Sequence, residues 1–166
     1  MSPTQIDIES TISRMADSLK LHLKEREIDN PLIIGIQTGG LWVAEKIRSS
    51  LGISEANGVL NIAFYRDDFS RIGLHPRVSP SSLPFEIEDK HIILVDDVLH
   101  TGRTIRAAMN EIFDFGRPAS ITLVVLIDRN GRELPVEANI SGKRLELNKD
   151  EHVKLLGPEP LALEFK

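Results

Sequence analysis

Residues 91–104 read His-Ile-Ile-Leu-Val-Asp-Asp-Val-Leu-His-Thr-Gly-Arg-Thr, and the rest of the chain can be placed around them. The short apolar run at residues 92–95 is typical of a strand buried on both faces of a parallel sheet. Two carboxylates, Asp96 and Asp97, end this run, and apolar residues then recur at helical spacing over residues 105–112. The pattern predicts a strand, a loop and a helix. The polar loop residues lie at the carboxyl end of the strand, where open α/β sheets bind ligands.

The loop after the two carboxylates has the composition of a phosphate site. Backbone N–H groups around Gly102 and at the start of the next helix can face an anion, which the helix dipole also favours. Thr101 and Thr104 add hydroxyl donors. Asp96 and Asp97 would repel a phosphate, and they fit sugar hydroxyls or a magnesium ion instead. The loop therefore predicts a sugar phosphate ligand, with a solvated Asp-Asp turn and a capping threonine as the alternative.

The stretch Val95–Thr104 resembles the phosphoribosyl pyrophosphate (PRPP) signature of type I phosphoribosyltransferases. Stretches at residues 65–68, 115–120, 128–129 and 132–135 are similar, in the same order, to the PyrR family of that class. The resemblance implies an α/β, type I phosphoribosyltransferase fold in one domain over residues 1–166. That fold has a mostly parallel central sheet flanked by helices, a flexible loop and a small hood. The implied functions are conversion of uracil and PRPP to UMP and pyrophosphate, and pyrimidine-responsive regulation of pyr gene expression.

The resemblance also implies which part of PRPP each residue in or near the signature binds. Asp96 and Asp97 are expected to hold the ribose hydroxyls and to stabilise a cationic sugar electrostatically. Magnesium is expected mainly on the pyrophosphate of the ligand, with Asp96 as a contact on the protein. The residues implied for the 5′-phosphate are Val98, Leu99, His100, Thr101, Gly102, Arg103 and Thr104.

A second strand, turn and helix pattern precedes the signature in the chain. The apolar run at residues 32–36 is followed by Gln-Thr-Gly-Gly and by a helical pattern over residues 41–51, which Gly52 closes. The turn matches neither a Walker A loop nor G-x-G-x-x-G. By resemblance it is the pyrophosphate loop, formed by Thr38, Gly39 and Gly40, with Gly39 where many PyrR proteins have arginine. Type I enzymes often hold a non-proline cis peptide here, and we expect it at Thr38–Gly39.

Three other segments complete the implied active site. Residues 66–84 are rich in serine, proline and glycine, and by resemblance they form a flexible loop that closes over PRPP. The matching residues at its start are Tyr65, Arg66, Asp67 and Asp68. Residues 121–127 predict a buried strand, and the residues implied near the uracil, largely through their backbone, are Leu126, Ile127, Asp128, Arg129 and Arg132. Short apolar segments after Glu133 are expected to form the strands of the hood.

Residues 4–28 predict an amphipathic helix, because their apolar positions fall on one face. In PyrR proteins of the attenuation type, the corresponding helix contributes to a surface that binds pyr leader RNA, aided by UMP or UTP. The residues that match this pattern are Ser13, Arg14, Arg132 and Lys143. Gly131 stands where the pattern has histidine, and Glu137 stands where it has arginine.

Composition sets limits on these interpretations. The 166 residues contain no cysteine, which excludes disulfides and thiolate metal sites. No apolar run approaches the roughly 20 residues of a membrane span, and we expect a cytoplasmic protein. The formal net charge of −5 gives no overall attraction to nucleic acid, so RNA binding requires a local basic patch. The resemblance implies a homodimer or tetramer.

Three alternatives remain open from the sequence. One is a weakly catalytic or non-catalytic regulator that senses nucleotides and binds RNA. Another is a purine-type phosphoribosyltransferase, because the PRPP signature does not specify the base. The third is a phosphoacceptor receiver domain, which is disfavoured because the strand at residues 121–127 lacks the lysine expected near the acceptor.

Overall fold

The structure is a computed structural model, and it describes residues 6–62 and 81–166. The expected flexible-loop residues Tyr65, Arg66, Asp67 and Asp68 lie outside these ranges. The elements in chain order are α1 (Ile8–Glu25), β1 (Leu32–Ile36), α2 (Gly39–Leu51), β2 (Gly58–Leu60), β3 (His91–Leu99), α3 (Arg103–Phe115), β4 (Ser120–Arg129), β5 (Ile140–Leu145), β6 (Val153–Leu156) and β7 (Ala162–Phe165).

Strands β1 to β5 form a parallel sheet in the order β2-β1-β3-β4-β5, with β3 in the middle. Successive side chains of β3 point to opposite faces of this sheet. Ile93 and Val95 pack in a core with α1 and α2, whereas Ile92 and Leu94 pack in a second core with α3. The predicted α/β fold, with a mostly parallel sheet flanked by helices, is confirmed.

Strand β3 is longer than its apolar run indicates. The pattern ends the strand before Asp96, whereas β3 runs through both carboxylates to Leu99. The cause is lateral pairing, because Asp96, Val98 and Leu99 each pair with a residue of β4. Val98 and Leu99, which the sequence places in the phosphate loop, therefore lie in the strand, and Leu99 is buried in the core. The loop between β3 and α3 consists of residues 100–102.

The helix ends are set by specific capping interactions. Helix α1 begins after Asp7, whose side chain accepts a hydrogen bond from the N–H of Ser10 at 3.1 Å. It ends at Glu25, earlier than the predicted end at residue 28, and Glu27 then has a φ of 56°. Helix α2 ends at Gly52, which has a φ of 67°, a conformation that favours glycine.

A non-proline cis peptide is present in the loop before α2, but its position differs from the prediction. It joins Gln37 to Thr38, so the expected position at Thr38–Gly39 is wrong by one residue. Gly39 is already the first residue of α2. Thr38 is the N-cap of this helix and already has helical backbone angles, and the Thr38–Gly39 bond is trans.

The carboxyl-terminal segments divide between the sheet and a hairpin. Strands β6 and β7 pair antiparallel and correspond to the expected hood. Strand β5 instead extends the central sheet by pairing with β4. Gly142 allows α1 to pack closely on β5, because a Cβ atom there would lie 2.7 Å from Cγ2 of Thr11. None of the helices within the described ranges has the length and apolar character needed to cross a membrane.

Candidate active site

The two carboxylates at the end of β3 lie in different surroundings. Asp96 is only 4% exposed, and its Oδ1 accepts a hydrogen bond from the N–H of Asp97 at 2.8 Å. Asp97 is half-buried, and its Oδ1 accepts from the N–H of Val98 at 2.9 Å. Neighbouring backbone donors thus hold both acceptors in place, and Asp97 is the more accessible of the two.

The loop between β1 and α2 lies directly against these carboxylates. A Cβ atom on Gly39 would overlap Oδ2 of Asp97, and one on Gly40 would lie 2.6 Å from the carbonyl oxygen of Val95. Glycine at both positions therefore permits a close approach that other residues would prevent. Because β1 and β3 are parallel neighbours, the predicted pyrophosphate loop and the predicted ribose-binding pair meet at one edge of the sheet.

A cavity of about 710 Å³ opens where the loop and the end of β3 meet. This volume suits a small organic ligand. The cavity is lined by Gln37, Thr38, Gly39, Trp42, Asn61, Asp97, Val153, Lys154 and Leu155. The sequence did not indicate the contribution of Trp42, Asn61 or strand β6. These residues come from separate parts of the chain, and the apolar ones carry a pattern that indicates only packing.

The phosphate loop turns at Gly102, which has a φ of 96°. A Cβ atom there would lie 3.3 Å from Cβ of Val136, so the loop is packed as well as turned. The Thr101 hydroxyl accepts a hydrogen bond from the N–H of Arg103 at 3.1 Å. The carbonyl of Thr101 accepts from the N–H groups of residues 133 and 134 at 2.9 and 3.1 Å. In these contacts the hydroxyl of Thr101 acts only as an acceptor. Its proton can therefore donate a hydrogen bond to an anion.

Arg132 fixes this loop against the end of β4. Its Nε donates to the carbonyl of Val136 at 2.8 Å, and its Nη1 donates to the carbonyls of His100 at 2.7 Å and Arg129 at 3.0 Å. Its Nη2 donates to Oδ1 of Asp128 at 2.6 Å. These bonds occupy most of the donors of a guanidinium group. Arg132 therefore positions the phosphate loop, and its expected roles at the base and in RNA binding stay predictions.

The residues predicted to lie near the base are not gathered around Asp97. Leu126 and Ile127 are each 0% exposed as whole residues, so neither their side chains nor their backbone groups reach the surface of this structure. Arg129 is 4% exposed and donates to two backbone carbonyls of the segment before β6, at 2.7 and 3.3 Å. A second cavity of about 350 Å³ is lined by residues that include Asp128, Arg129 and Arg132, and it shares no lining residue with the first.

The ring of His100 lies against Gly131. A Cβ atom on Gly131 would lie 2.9 Å from Nε2 of His100, so this edge of the ring is covered although the residue as a whole is exposed. Burial of that edge and then the positive charge of Arg129 lower the pKa of His100, against a smaller opposite effect of Glu133. The imidazole is therefore neutral at neutral pH and adds no positive charge to the phosphate loop.

The residues predicted to bind RNA are spread over three parts of the fold. Ser13 and Arg14 are exposed on α1, and Arg14 donates to the hydroxyl of Thr11 at 3.4 Å. Lys143 lies on β5, against which α1 packs, and Arg132 lies in the loop after β4. The structure thus brings α1 and Lys143 to neighbouring elements, whereas most donors of Arg132 are already used.

Magnesium prefers carboxylate ligands, and the candidate site offers it Asp96 and Asp97. Within residues 6–62 and 81–166 there is no group of three or more His, Asp or Glu side chains suited to holding a metal ion. Magnesium commonly binds through one or two carboxylates together with substrate phosphates and water. Asp97 lines the cavity and is suited to such a contact, whereas Asp96 is nearly buried.

Comparison with known proteins defines the class. The chain matches the family model of the phosphoribosyl transferase domain over residues 6–156. Its fold is similar to that of a hypoxanthine-guanine-xanthine phosphoribosyltransferase, with a TM-score of 0.63 and 18% identity, covering 88% of this chain and 80% of the other. It is also similar to the hypoxanthine phosphoribosyltransferase of Trypanosoma cruzi, with a TM-score of 0.65 and 21% identity, covering 88% and 79%. The chain therefore belongs to the phosphoribosyltransferase family and is a pentosyltransferase.

More similar relatives narrow this class. The chain is 59% identical over 155 residues to the bifunctional protein PyrR of Pseudomonas paraeruginosa, covering 93% of this chain and 91% of the relative. It is 55% identical over 166 residues to that of Nitrosococcus oceani, covering 99% and 94%. Within the phosphoribosyltransferases the chain thus belongs to the PyrR family. The resemblance predicted from its sequence is confirmed.

Proposed function

We propose that this chain transfers the ribosyl phosphate of PRPP to uracil, giving UMP and pyrophosphate, and that it regulates pyr gene expression in response to pyrimidines. The observation that carries the enzymatic part is the contact between the glycine loop at Gly39 and Gly40 and the carboxylates at the end of β3. This contact supports the proposal, because backbone N–H groups of the glycine loop can bind an anion and the neighbouring carboxylates can accept hydrogen bonds from a ribose diol. Membership of the PyrR family supports both parts of the proposal.

The reaction requires one bond to form and one to break at the anomeric carbon of PRPP. A ring nitrogen of uracil bonds to this carbon and releases its proton to the solvent, while the carbon–oxygen bond to pyrophosphate breaks and pyrophosphate leaves with the bonding electrons. Asp96 and Asp97 stabilise the positive charge that develops on the sugar, because they are fixed beside it before reaction. Thr101, Thr104 and the N–H groups at the start of α3 bind the 5′-phosphate. The protein thus contributes positioning and electrostatics.

Magnesium is the cofactor that we propose for this site. When bound with PRPP, it neutralises charge on the pyrophosphate, which makes pyrophosphate a better leaving group. Asp97 is the side chain best placed to contact the ion, because it lines the cavity beside the pyrophosphate loop. Asp96, the contact that the family resemblance implies, is held in the same place but is nearly buried.

Other parts of the proposal rest on the family resemblance. The residues Tyr65, Arg66, Asp67 and Asp68, which lie outside the described ranges, are assigned to PRPP binding by this resemblance. Residues 1–166 form a single domain that acts in the cytoplasm as a homodimer or tetramer. Phe113 and Phe115 are large apolar residues with 56% and 53% exposure, which is consistent with a surface that other copies cover.

The enzymatic proposal is tested by incubating the purified protein with PRPP, magnesium and an equimolar mixture of uracil, hypoxanthine and guanine. We expect UMP as the product. IMP or GMP instead would favour the purine-type alternative. PRPP binding without formation of any nucleotide would leave the regulatory role alone.

The regulatory proposal is tested with a gel-shift assay on pyr leader RNA, with and without UMP. We expect a shift that UMP strengthens and that weakens steeply with salt, because contacts to phosphates release counterions. Replacing Arg14 and Lys143 by alanine reduces affinity and flattens the salt dependence. An absent or salt-independent shift would contradict RNA binding through this surface.

A further inference from the structure

The pyrophosphate loop lacks a cationic side chain of its own. Its residues, Thr38 to Gly40, are uncharged, and the carboxylate of Asp97 lies directly against Gly39. Pyrophosphate carries several negative charges, so a site for it usually contains cationic donors. Among the described residues that line the cavity, Lys154 on β6 is the one with a cationic side chain.

Lys154 has no ionic partner within the described parts of the chain. It stands directly across from Glu164 in the β6–β7 hairpin, where opposite charges commonly pair. The carboxylate of Glu164 instead lies 3.7 Å from Nζ of Lys166. The ammonium group of Lys154 is therefore available to a ligand in the cavity.

Strand β6 borders the cavity, and its residues Val153, Lys154 and Leu155 line it. Leu155 is 2% exposed and is packed in the core with α1 and α2, so the neighbouring side chain of Lys154 points away from this core. Arg129 binds the segment that leads into β6. Gly157, directly after β6, lies against Trp42, because a Cβ atom there would be 2.9 Å from Cε3 of the indole.

We propose that Lys154 binds the pyrophosphate group of PRPP, and the pyrophosphate product, from the side opposite the glycine loop. The proposal deepens the proposed function and rests on it. A lysine ammonium group carries three donors on a flexible stem, which suits the spread of oxygens on a diphosphate. Its attraction increases as the leaving group gains negative charge, so Lys154 contributes to transition-state stabilisation as well as to binding.

The test uses Trp42, which lines the same cavity and is the single tryptophan of the chain. Its fluorescence is followed while the wild type and Lys154→Gln are titrated with magnesium pyrophosphate and, separately, with UMP; calorimetry repeats each titration. We expect Lys154→Gln to weaken pyrophosphate binding about tenfold and to change UMP binding less than about twofold. UMP has no pyrophosphate, so it reports whether the rest of the site is intact.

Two variants serve as controls. Lys90→Gln makes the same change of charge at the opposite end of β3, and it is expected to bind pyrophosphate like the wild type. Lys154→Arg retains the charge and is expected to restore most of the affinity. Unchanged pyrophosphate binding in Lys154→Gln, equal weakening of UMP, or no pyrophosphate binding by the wild type would each overturn the proposal. Failure of the wild type to form UMP from PRPP and uracil would refute the proposed function separately.

Discussion

Gly39 is the residue on which the contact between the pyrophosphate loop and Asp97 depends. In Gly39→Ala the new Cβ atom overlaps Oδ2 of Asp97, so the carboxylate must rotate away from the loop. We expect kcat/KM for PRPP to fall by about 10- to 100-fold, because small displacements of positioned groups are costly. Steady-state kinetics measure this loss.

Gly52→Ala is the matched control for this prediction at the other end of α2. Its position is open to solvent but has a φ of 67°, which alanine adopts at a cost of about 1 kcal/mol. We expect a lower free energy of unfolding with unchanged kcat/KM. Full activity in Gly39→Ala would show that Asp97 need not lie against the loop.

His100 makes stability depend on pH. The pKa of His100 in the folded chain is below the ordinary value of 6.5, so the unfolded chain binds more protons between these two values. The stabilisation is therefore complete above pH 6.5 and is lost as the pH falls from 6.5 towards the lower folded pKa. In His100→Gln this part of the pH dependence disappears. Denaturant unfolding from pH 8 to pH 5 checks it, and parallel curves for the two proteins would contradict the assignment.

The sequence identified residues whose neighbours along the chain reveal their chemistry. Asp96, Asp97 and Gly102 follow an apolar run and precede a helical pattern, so their place near the carboxyl end of a strand was predictable. Trp42 and Lys154 were not predictable, because only the packing of the hood hairpin brings them to the same cavity. The hydrogen bonds of Arg132 to backbone carbonyls likewise depend on the folded loop, and no local sequence pattern predicts them.

At the scale of elements, Arg129 ties the hood hairpin to the central sheet. Its buried guanidinium binds two carbonyls of the segment before β6. In Arg129→Met these carbonyls, which belong to the exposed residues Asn148 and Glu151, lose their donor, and each lost hydrogen bond costs about 0.5–1.5 kcal/mol. We expect a lower free energy of unfolding and faster amide exchange in β6 and β7. Arg106→Met, at an exposed position of α3, is expected to change neither; equal exchange in the hairpin of Arg129→Met would contradict the tether.

A strand or helix was predictable where its own residues carry the sequence pattern typical of that element. Strand β1 matches the apolar run at residues 32–36, and α2 ends at Gly52 as the glycine signal indicated. The extension of β3 through its carboxylates and the edge strand β5 were not predictable. Their hydrogen bonds come from β4, and their mixed polar sequences lack the pattern of a buried strand.

At the scale of the whole molecule, the parallel sheet explains why loops distant in sequence form one site. Strands β1 and β3 are neighbours and point the same way, so the glycine loop and the carboxylates meet at their common end. Strand β6 of the hairpin lines the same cavity from another part of the chain. The arrangement suits the proposed ligand, which combines a ribose diol with phosphate groups on both sides.

The most direct test of this account compares the binding of UMP and uridine by calorimetry. The two ligands share base and ribose, and they differ in the 5′-phosphate that the turn at residues 100–104 is expected to hold. We predict that UMP binds at least about 100-fold more tightly, because charge-assisted hydrogen bonds to the phosphate are lost in uridine. Equal affinities, or no binding of UMP, would contradict the assignment of a sugar-phosphate site to the carboxyl end of β3.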